Sequence, residues 1–427
     1  MSPTFRSLRV RNYRLFASGQ ILSLTGTWMQ RVAQDWLVLS LTHSGVALGV
    51  TTALQFLPML LFGMYGGVLA DRYPKRQLLL MTQATSAIFA AALGVLDVTG
   101  VVQPWHVFVL AFLLGTAAAV DTPTRQAFVV ELVGPTDLPN AIGLNSATFN
   151  SARILGPAIA GILINWVGTG PVFLINAVSY AAPIMALLAM RDSELFRGKP
   201  AARAKGQARA GLQYVRSRPE LLMPIVLVAI VGMFGLNFQM TLALMAQQTF
   251  HRDAGAYGVL SAALAFGCLI GALGAARRAR PRHRLLYGAA FAFGILEFVD
   301  AFVPSYWTLV VLLVPTGVAI LTMTTSANSL CQTLASPSMR GRVMALYVLV
   351  FLGGTPFGAP LIGALASVLG PRSSLYIGGA ASAAAAFGCA MAFARMQRLR
   401  VHTHWRPHPV VHVRPVEAPL LDEARSA

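Results

Sequence analysis

The stretch GGVLADRYPKRQLLL, residues 66–80, places one acid and three cations between two long apolar runs. Asp71, Arg72, Lys75 and Arg76 stand out because 11% of the 427 residues are charged, whereas 56% are hydrophobic. An ordinary soluble domain carries charge on about a quarter of its residues. The composition therefore excludes such a domain and indicates a membrane protein, in which this stretch is a polar loop.

Twelve apolar runs are long enough to cross a bilayer. A membrane-spanning helix needs about 20 mainly apolar residues, and its backbone groups must bond within the segment. The predicted spans are 14–40, 46–70, 77–97, 104–124, 140–165, 171–190, 220–246, 255–276, 284–303, 306–328, 343–369 and 373–395. The sequence thus predicts an all-α polytopic membrane protein with twelve transmembrane helices.

The longest polar interruption separates two sets of six spans. It contains the basic sequence RGKPAARAKGQARAG and ends in GLQYVRSRPEL, which predicts a short amphipathic surface helix. We therefore predict a six-helix N-terminal half over 1–190, a cytoplasmic linker loop over 191–219, a six-helix C-terminal half over 220–398 and a cytoplasmic tail over 399–427.

An internal repeat supports this division. Gly115 and Gly156 in the first half recur as Gly317 and Gly358 in the second when the halves are aligned without gaps. Glycines have specific backbone roles, so their recurrence indicates two pseudo-symmetric halves. Two six-helix halves related as parallel repeats are a transporter pattern.

The distribution of basic residues predicts the topology. Most of the 33 Lys and Arg residues lie in the tails, the even-numbered gaps or the adjoining helix ends, and the odd-numbered gaps hold only Arg252 and Arg372. By the positive-inside rule, both termini are expected to be cytoplasmic, in the inner (plasma) membrane of the cell. The formal charge of +18 is then explained by topology, and no nucleic-acid partner is predicted.

The opening stretch also carries a family resemblance. Gly67, Asp71, Arg72, Lys75 and Arg76 resemble the G-x-L-A-D-R-x-G-R-[KR] loop between helices two and three of the major facilitator superfamily. The segments GTWMQRVAQDWLVLSLT and ELVGPTDLPNAIGLNSATFNSARILGPAIAG are similar to its branch of transmembrane secretion effectors, which includes the enterobactin exporter. The resemblance implies the major facilitator fold and a proton-driven exporter of siderophores or related secondary metabolites.

A second motif concerns the direction of transport. SARILGPAIAGIL in the fifth span, with Gly156, Pro157 and Gly161, resembles the G-x-x-x-G-P-x-x-G-G motif of exporters in that superfamily. Small residues let helices approach closely, and proline bends a helix. The resemblance implies export.

Charged residues inside the first span are the leading site candidates. Charges within a bilayer are costly and normally face the protein interior or a water-filled path. Arg31 and Asp35 lie four residues apart, hence on one helix face, with Gln34 beside them. They form either a neutralised pair that lets the helix insert, or a site in which Asp35 accepts a proton or a substrate cation. Trp28 could stack on an aromatic substrate.

Further candidates lie in other spans. Asp121 and Arg125, with Arg153 at a similar depth, are predicted to form a gate network. Asp300 is predicted to reach the membrane interface, whereas Glu297 lies deeper and could have a proton-linked role. The polar cavity candidates, which could equally bond between helices, are Asn237, Gln239, Thr322 and Asn328.

The leading functional hypothesis is a secondary active exporter, with Asp35 as the proton carrier. The alternatives are a broad multidrug/proton antiporter and a non-transporting receptor or assembly protein. Motifs of intramembrane hydrolases and the G-x-x-x-x-G-K-[ST] phosphate loop are absent from the sequence. We therefore predict no enzyme activity, cofactor or metal, and a monomer that works with a small molecule, protons and the bilayer. The histidine-containing tail, residues 402–412, is interpreted as solvated rather than metal-binding.

Overall fold

The computed structural model describes residues 3–196, 207–276, 282–336 and 339–396, and two strands at 399–404 and 410–415. The helices are α1 (Arg11–Thr42), α2 (Gly45–Arg72), α3 (Lys75–Val98), α4 (Pro104–Gly134), α5 (Thr136–Val167), α6 (Thr169–Leu188), α7 (Gln207–Arg216), α8 (Pro219–Thr249), α9 (Ala254–Ala276), α10 (His283–Asp300), α11 (Tyr306–Leu334), α12 (Arg340–Leu369) and α13 (Arg372–Met396).

Ten of the described helices are long and apolar enough to cross a membrane. The other two long helices, α1 and α10, carry more polar residues. Helix α1 buries Gln20, Gln30, Gln34 and Asp35 along its length, and α10 buries Glu297 and Asp300 near its end. The structure is therefore a multi-span helical membrane protein, and its two most polar long helices need polar surroundings inside the protein.

The predicted spans agree closely with these helices, except for the fourth span. Helix α4 continues about ten residues beyond the predicted end at 124, because Asp121 and Arg125 are paired rather than exposed. The chain passes from α4 to α5 at Gly134, whose φ of 68° is accessible to glycine at no steric cost.

The repeated glycines make equivalent contacts in the two parts of the chain. A Cβ atom on Gly115 of α4 would lie 2.4 Å from the carbonyl oxygen of Gln55 in α2. A Cβ atom on Gly317 of α11 would lie 2.2 Å from the carbonyl oxygen of Leu264 in α9. Both distances are too short for a side chain, so the same close helix packing recurs in the N-terminal group, α1–α6, and in the C-terminal group, α8–α13.

The two groups meet at one end of the molecule, in a contact made largely of glycines. Gly161 of α5 packs against Gly258 of α9, and Gly363 of α12 packs against Gly45 and Gly49 of α2. We call these five glycines the seam. They lie near the starts of α2 and α9 and the ends of α5 and α12, which is the end that the charge bias predicts to be outside.

Hydrogen bonds reinforce the contact at the same end. The Asn165 amide donates to Asp253 across 2.8 Å, and the Gln248 amide donates to the His43 carbonyl across 3.2 Å. These two hydrogen bonds therefore link the two groups on the seam side.

Helix α8 is interrupted in its middle. Its first part ends at Phe234, the chain leaves helical geometry at Gly235–Asn237, and the helix resumes at Phe238 before a final π-turn. A break inside a bundle leaves backbone groups that must face polar neighbours or a cavity. The break therefore marks a polar region within the C-terminal group.

The linker and the tail also contain regular structure. Helix α7 overlaps the predicted amphipathic helix at residues 211–216, whereas the last three residues of the predicted segment begin α8. Helix α7 buries Gly211 and Val215 on one face. Strands β1 (Leu399–His404) and β2 (Val410–Pro415) pair antiparallel in the tail. The all-α prediction did not include this hairpin, and residues 416–427 lie outside the described residues.

Candidate functional site

Asp35 joins the two groups of helices next to the seam. Its carboxylate is buried in α1 and accepts a hydrogen bond of 2.9 Å from the hydroxyl of Tyr257, which is itself fully buried in α9. A buried carboxylate needs such a donor, because an unpaired one is costly. Tyr257 was not predicted from the sequence, since a lone tyrosine near a helix start carries no pattern that marks a partner on another helix.

Arg31 and Asp35 interact electrostatically without direct contact. None of the ion pairs between described residues joins the two side chains, but the two charges are close enough to attract each other. The guanidinium carbon of Arg31 lies 4.6 Å from the ring centre of Trp28 and 5.7 Å from that of Phe56. These are cation–π distances. Gln34, beside them, is buried with no hydrogen-bond partner for its amide nitrogen among the described residues.

A small cavity of about 50 Å³ lies between the groups, next to this cluster. Thr52 and Phe56 of α2 line one side, and Asn237 and Gln239 of the interrupted helix α8 line another. The break in α8 turns Asn237 so that its amide nitrogen donates to the Met233 carbonyl, and its buried amide oxygen has no hydrogen-bond partner among the described residues. The cavity thus combines aromatic and amide side chains from both groups.

Two of the predicted cavity residues lie elsewhere on α11. Thr322 is buried, but it does not line this cavity. Asn328 lies two turns further along, where its amide oxygen accepts a hydrogen bond of 2.7 Å from Gln332 in an exposed position. The structure therefore brings Asn237 and Gln239 together and leaves Asn328 apart.

The two acids of α10 are both buried in the C-terminal group. Asp300 is fully buried and accepts a hydrogen bond of 3.0 Å from Thr316, so the prediction that it reaches the membrane interface is wrong. Glu297 is 2% exposed and faces Gly235 of the α8 break and Ser382 of α13. Its second carboxylate oxygen has no hydrogen-bond partner among the described residues.

The structure brings together two of the three side chains predicted to form a gate network. Asp121 accepts hydrogen bonds from Thr82 and Gln83 of α3 and forms an ion pair of 2.5 Å with Arg125. Arg153 is not part of this cluster. It lies instead against the thiol of Cys268 in α9, on the opposite group of helices.

The two cations of the charged loop that lie on α3 both bind within the N-terminal group. Lys75 forms an ion pair of 2.6 Å with Glu131. Arg76 forms an ion pair of 2.8 Å with Asp192 and donates to the carbonyls of Leu187 and Leu188, which fasten α3 to the end of α6.

Gly67 lies on α2, one turn before Asp71. Asp71 and Arg72 have exposed side chains in the last turn of α2. The cations of α3 thus hold the N-terminal group together.

The exporter-like motif of α5 forms contacts on both sides of the helix. A Cβ atom on Gly156 would lie 2.5 Å from Cβ of Trp28, so α5 touches α1 at this point. The Pro157 carbonyl and Gly161 pack against Gly258 of α9. The motif therefore sits where α1, α5 and α9 converge, beside the Asp35–Tyr257 hydrogen bond.

Two groups of helices with a small cavity between them are a pattern found in membrane transporters. The chain belongs to the transmembrane secretion effector family of the major facilitator superfamily, since the family model matches residues 2–421. The members of this family are transporters and not enzymes.

Curated relatives are exporters and metabolite transporters. The staphyloferrin A transporter of Staphylococcus aureus is 32% identical over 176 residues, which cover 41% of this chain and 44% of that protein. The multidrug efflux pump Tap of Mycolicibacterium fortuitum is 28% identical over 81% of this chain and 87% of its own length. The enterobactin exporter EntS of Citrobacter koseri is 23% identical over 86% of this chain and 88% of its own length.

The fold is similar to that of solved transporters. A bacterial homologue of the human lysosomal transporter Spinster, in an inward-facing and unoccupied conformation, superposes with a TM-score of 0.72 at 16% identity. The superposition covers 96% of this chain and 100% of that one.

Proposed function

We propose that this protein is a secondary active exporter of a small molecule that works by alternating access. The two groups of helices would be two six-helix halves, with α1 and α10 completing twelve transmembrane helices, and they would rock around the cavity between them. The observation that carries the proposal is the hydrogen bond from Tyr257 to Asp35, which links a buried carboxylate of one half to the other half next to the seam.

The seam supports an assignment of the conformational state. Close glycine contacts and inter-group hydrogen bonds lie at the end that the charge bias places outside. The structure then corresponds to a state closed to the outside, in line with its similarity to an inward-facing transporter. Export would require this seam to open.

The coupling ion that we propose is the proton, with Asp35 as its carrier. In the closed state the Asp35 carboxylate accepts from Tyr257. Opening of the seam would separate these groups and expose the carboxylate to the outside, where a proton can bind. Entry of that proton, coupled to release of the substrate, would drive the cycle.

The substrate class that we propose is a siderophore or a related secondary metabolite. The names of two relatives support it, staphyloferrin A transporter and enterobactin exporter. The alternative is a broad multidrug/proton antiporter, which the long match with the efflux pump Tap favours. A receptor or assembly protein is less favoured, because it does not need a carboxylate buried between two moving halves.

The proposed function is tested in proteoliposomes. The purified full chain is reconstituted, a pH gradient is imposed, and movement of staphyloferrin A, enterobactin or ethidium is followed together with proton flux. Proton flux that depends on one of these substrates supports a proton antiporter and distinguishes siderophores from a drug-like cation. Substrate movement that does not respond to the gradient contradicts proton coupling.

The topology gives a separate prediction. We expect the chain to lie in the plasma membrane with both termini in the cytoplasm, because the basic residues cluster on one side. We also expect it to be a monomer. A reporter fused after Ala427 should therefore give a cytoplasmic signal, and the same reporter inserted after Gly100, between α3 and α4, should give an external one. A periplasmic signal from the Ala427 fusion would refute the assignment.

The acid of the charged loop is predicted to act on switching between states. Asp71 ends α2 in an exposed position, away from the cavity. Asp71→Asn should slow transport several-fold while equilibrium substrate binding stays unchanged, measured by transport and binding assays on the same preparation. The control is Glu194→Gln, because the exposed Arg191–Glu194 pair of 3.3 Å contributes little. Weakened binding with a normal transport rate in Asp71→Asn would contradict this prediction.

A further inference from the structure

A buried acid of the C-terminal group faces the end of a helix. The first part of α8 ends at Phe234, and the carbonyl groups at such an end carry a partial negative charge. The carboxylate of Glu297, in α10, is buried against this end. Two negative groups that lie close together away from water repel each other, so this arrangement requires a positive partner.

Two glycines show where that partner would lie. A Cβ atom on Gly378 of α13 would lie 2.6 Å from Oε1 of Glu297 and 2.8 Å from the carbonyl oxygen of Phe234. A Cβ atom on Gly235, at the break in α8, would lie 2.5 Å from Oγ of Ser382 in α13 and 3.0 Å from Oε2 of Glu297. Oxygen atoms from three helices therefore face two positions that carry no side chain.

The neighbours of Glu297 do not balance its charge. Oε2 of Glu297 and Oγ of Ser382 are buried, and neither has a hydrogen bond of normal geometry among the described residues. The two groups are close enough to interact, but a serine hydroxyl supplies a single donor. The other charge that acts on Glu297 is that of Asp300, a second acid on the same helix. The surroundings of this carboxylate are therefore negative.

The ion pairs between described residues include neither Glu297 nor Asp300. Arg372, at the start of α13, donates to the carbonyl of Ala301 rather than to either carboxylate. A carboxylate in this position is costly unless it is protonated or binds a cation. A proton bridges one donor and one acceptor, whereas several oxygens around one place are the surroundings of a metal cation. The geometry therefore favours a metal cation.

We propose that Glu297, Ser382 and the main-chain carbonyl of Phe234 form a binding site for a small monovalent cation, Na⁺. Hard cations take oxygen ligands, and a carboxylate, a hydroxyl and a carbonyl supply them here. The carbonyl groups of interrupted membrane helices are suited to this role, because the break frees them from the helix. The single carboxylate of the set matches an ion of single charge.

The site is connected to the cavity through the break in α8. Asn237 lines the cavity, and its amide nitrogen lies 3.4 Å from the carbonyl oxygen of Phe234. A cation bound to that carbonyl would fix the segment that presents Asn237 to the cavity. The site is separate from the proposed proton carrier, because α8, α10 and α13 form it, whereas Asp35 of α1 bonds to Tyr257 of α9. The inference thus adds a second ion to the proposed function.

The test measures Na⁺ binding to the purified full chain in a neutral detergent, with neither substrate nor gradient. The unfolding temperature is followed as NaCl replaces choline chloride at constant ionic strength, and the affinity is measured by calorimetry. A ligand that binds the folded state alone stabilises that state in proportion to its occupancy. We therefore expect an unfolding temperature that rises with NaCl as the site fills.

Variants of the ligands should remove this response. Glu297→Gln should weaken Na⁺ binding by more than about tenfold, because even indirect partners of a metal site contribute about 10- to 100-fold. Ser382→Ala should weaken it by about tenfold for the same reason. The matched control is Ser373→Ala, which removes a buried hydroxyl of the same helix that donates to the Gly370 carbonyl. Its Na⁺ affinity should equal that of the unmodified chain.

Two results would overturn the inference. One is an unfolding temperature that is the same in NaCl and choline chloride at neutral and at mildly alkaline pH, which would mean that a proton on Glu297 balances the charge. The other is an undiminished response to Na⁺ in Ser382→Ala, a variant that answers the question even if Glu297→Gln does not fold. Because no transport is measured, both results are independent of whether the chain is a proton-driven exporter.

Discussion

Replacing Asp35 by asparagine is expected to abolish export driven by a pH gradient. The carboxylate is buried in α1 and accepts a hydrogen bond from Tyr257 on the other group of helices. Asparagine has almost the same shape, and its amide oxygen can accept the Tyr257 hydroxyl, so the fold should persist. It cannot bind and release a proton between pH 4 and 10, so substrate movement should no longer depend on the gradient.

The measurement compares gradient-driven transport with substrate binding in the same proteoliposomes. Transport by Asp35→Asn should fall to the level of protein-free liposomes, while binding of the substrate changes by less than about tenfold, the scale of one altered hydrogen bond. Exchange of substrate in the absence of a gradient should continue, since that exchange needs alternating access but no net proton movement.

A matched control is available in the same group of helices. Asp97, at the end of α3, accepts a hydrogen bond from Thr169 and lies outside the cavity lining. Asp97→Asn should leave gradient-driven transport within about twofold, as expected for a substitution at the periphery. Normal transport by Asp35→Asn, or an equal loss in Asp97→Asn, would show that Asp35 is not the proton carrier.

The helical plan could be predicted from the sequence because a bilayer imposes it. Spans need long apolar runs and intrahelical hydrogen bonds, and the ends of α2, α8 and α12 lie within a few residues of the predictions. The exception at α4 has a local cause. In the sequence, the charged residues Asp121 and Arg125 predict the end of a membrane span. In the structure, the ion pair between them and the hydrogen bonds from α3 allow the helix to continue to Gly134.

The candidate site was less accessible to sequence reasoning, because its partners come from different helices. Spacing places Arg31 and Asp35 on one face, but it cannot show that Asp35 bonds to Tyr257 while Arg31 stacks on Trp28. From the sequence, Asp300 is predicted to reach the membrane interface, because it lies in the outer half of its span. It is buried because Thr316 of α11 offers it a hydrogen bond, and no pattern within α10 reveals that donor.

The seam gives the second large expected effect. Gly161→Val should shift the conformational equilibrium away from the state seen in the structure, towards one in which the seam is open. A Cβ atom at this position would lie 2.9 Å from the Ala254 carbonyl and 3.0 Å from Cα of Gly255, both on α9. These are backbone atoms that cannot move aside alone. Because these contacts belong to the other group of helices, the strain falls on the closed seam and not on the N-terminal group itself.

The size of the shift follows from the cost of overpacking. Inserting methyl groups into a tight contact costs about 1–3 kcal/mol, which changes a two-state population roughly 5- to 150-fold. Spin labels on Val167→Cys and Arg252→Cys, two exposed positions flanking the seam, should report a longer distance in Gly161→Val. Export should slow in parallel, because each cycle must pass through the closed state.

The control uses a glycine of the same helix at which an added Cβ atom would contact no other atom. A Cβ atom on Gly143 of α5 has no neighbour within 4 Å, so Gly143→Val tests the loss of glycine and the gain of a branched side chain without the clash. Its label distance should equal that of the unmodified chain. An unchanged distance in Gly161→Val, or the same lengthening in Gly143→Val, would mean that the seam does not close the outer end. A longer distance in Gly161→Val alone would show that the seam can open. In the closed-seam structure Asp35 contacts Tyr257, so opening of the seam is the step that would separate these two side chains during alternating access.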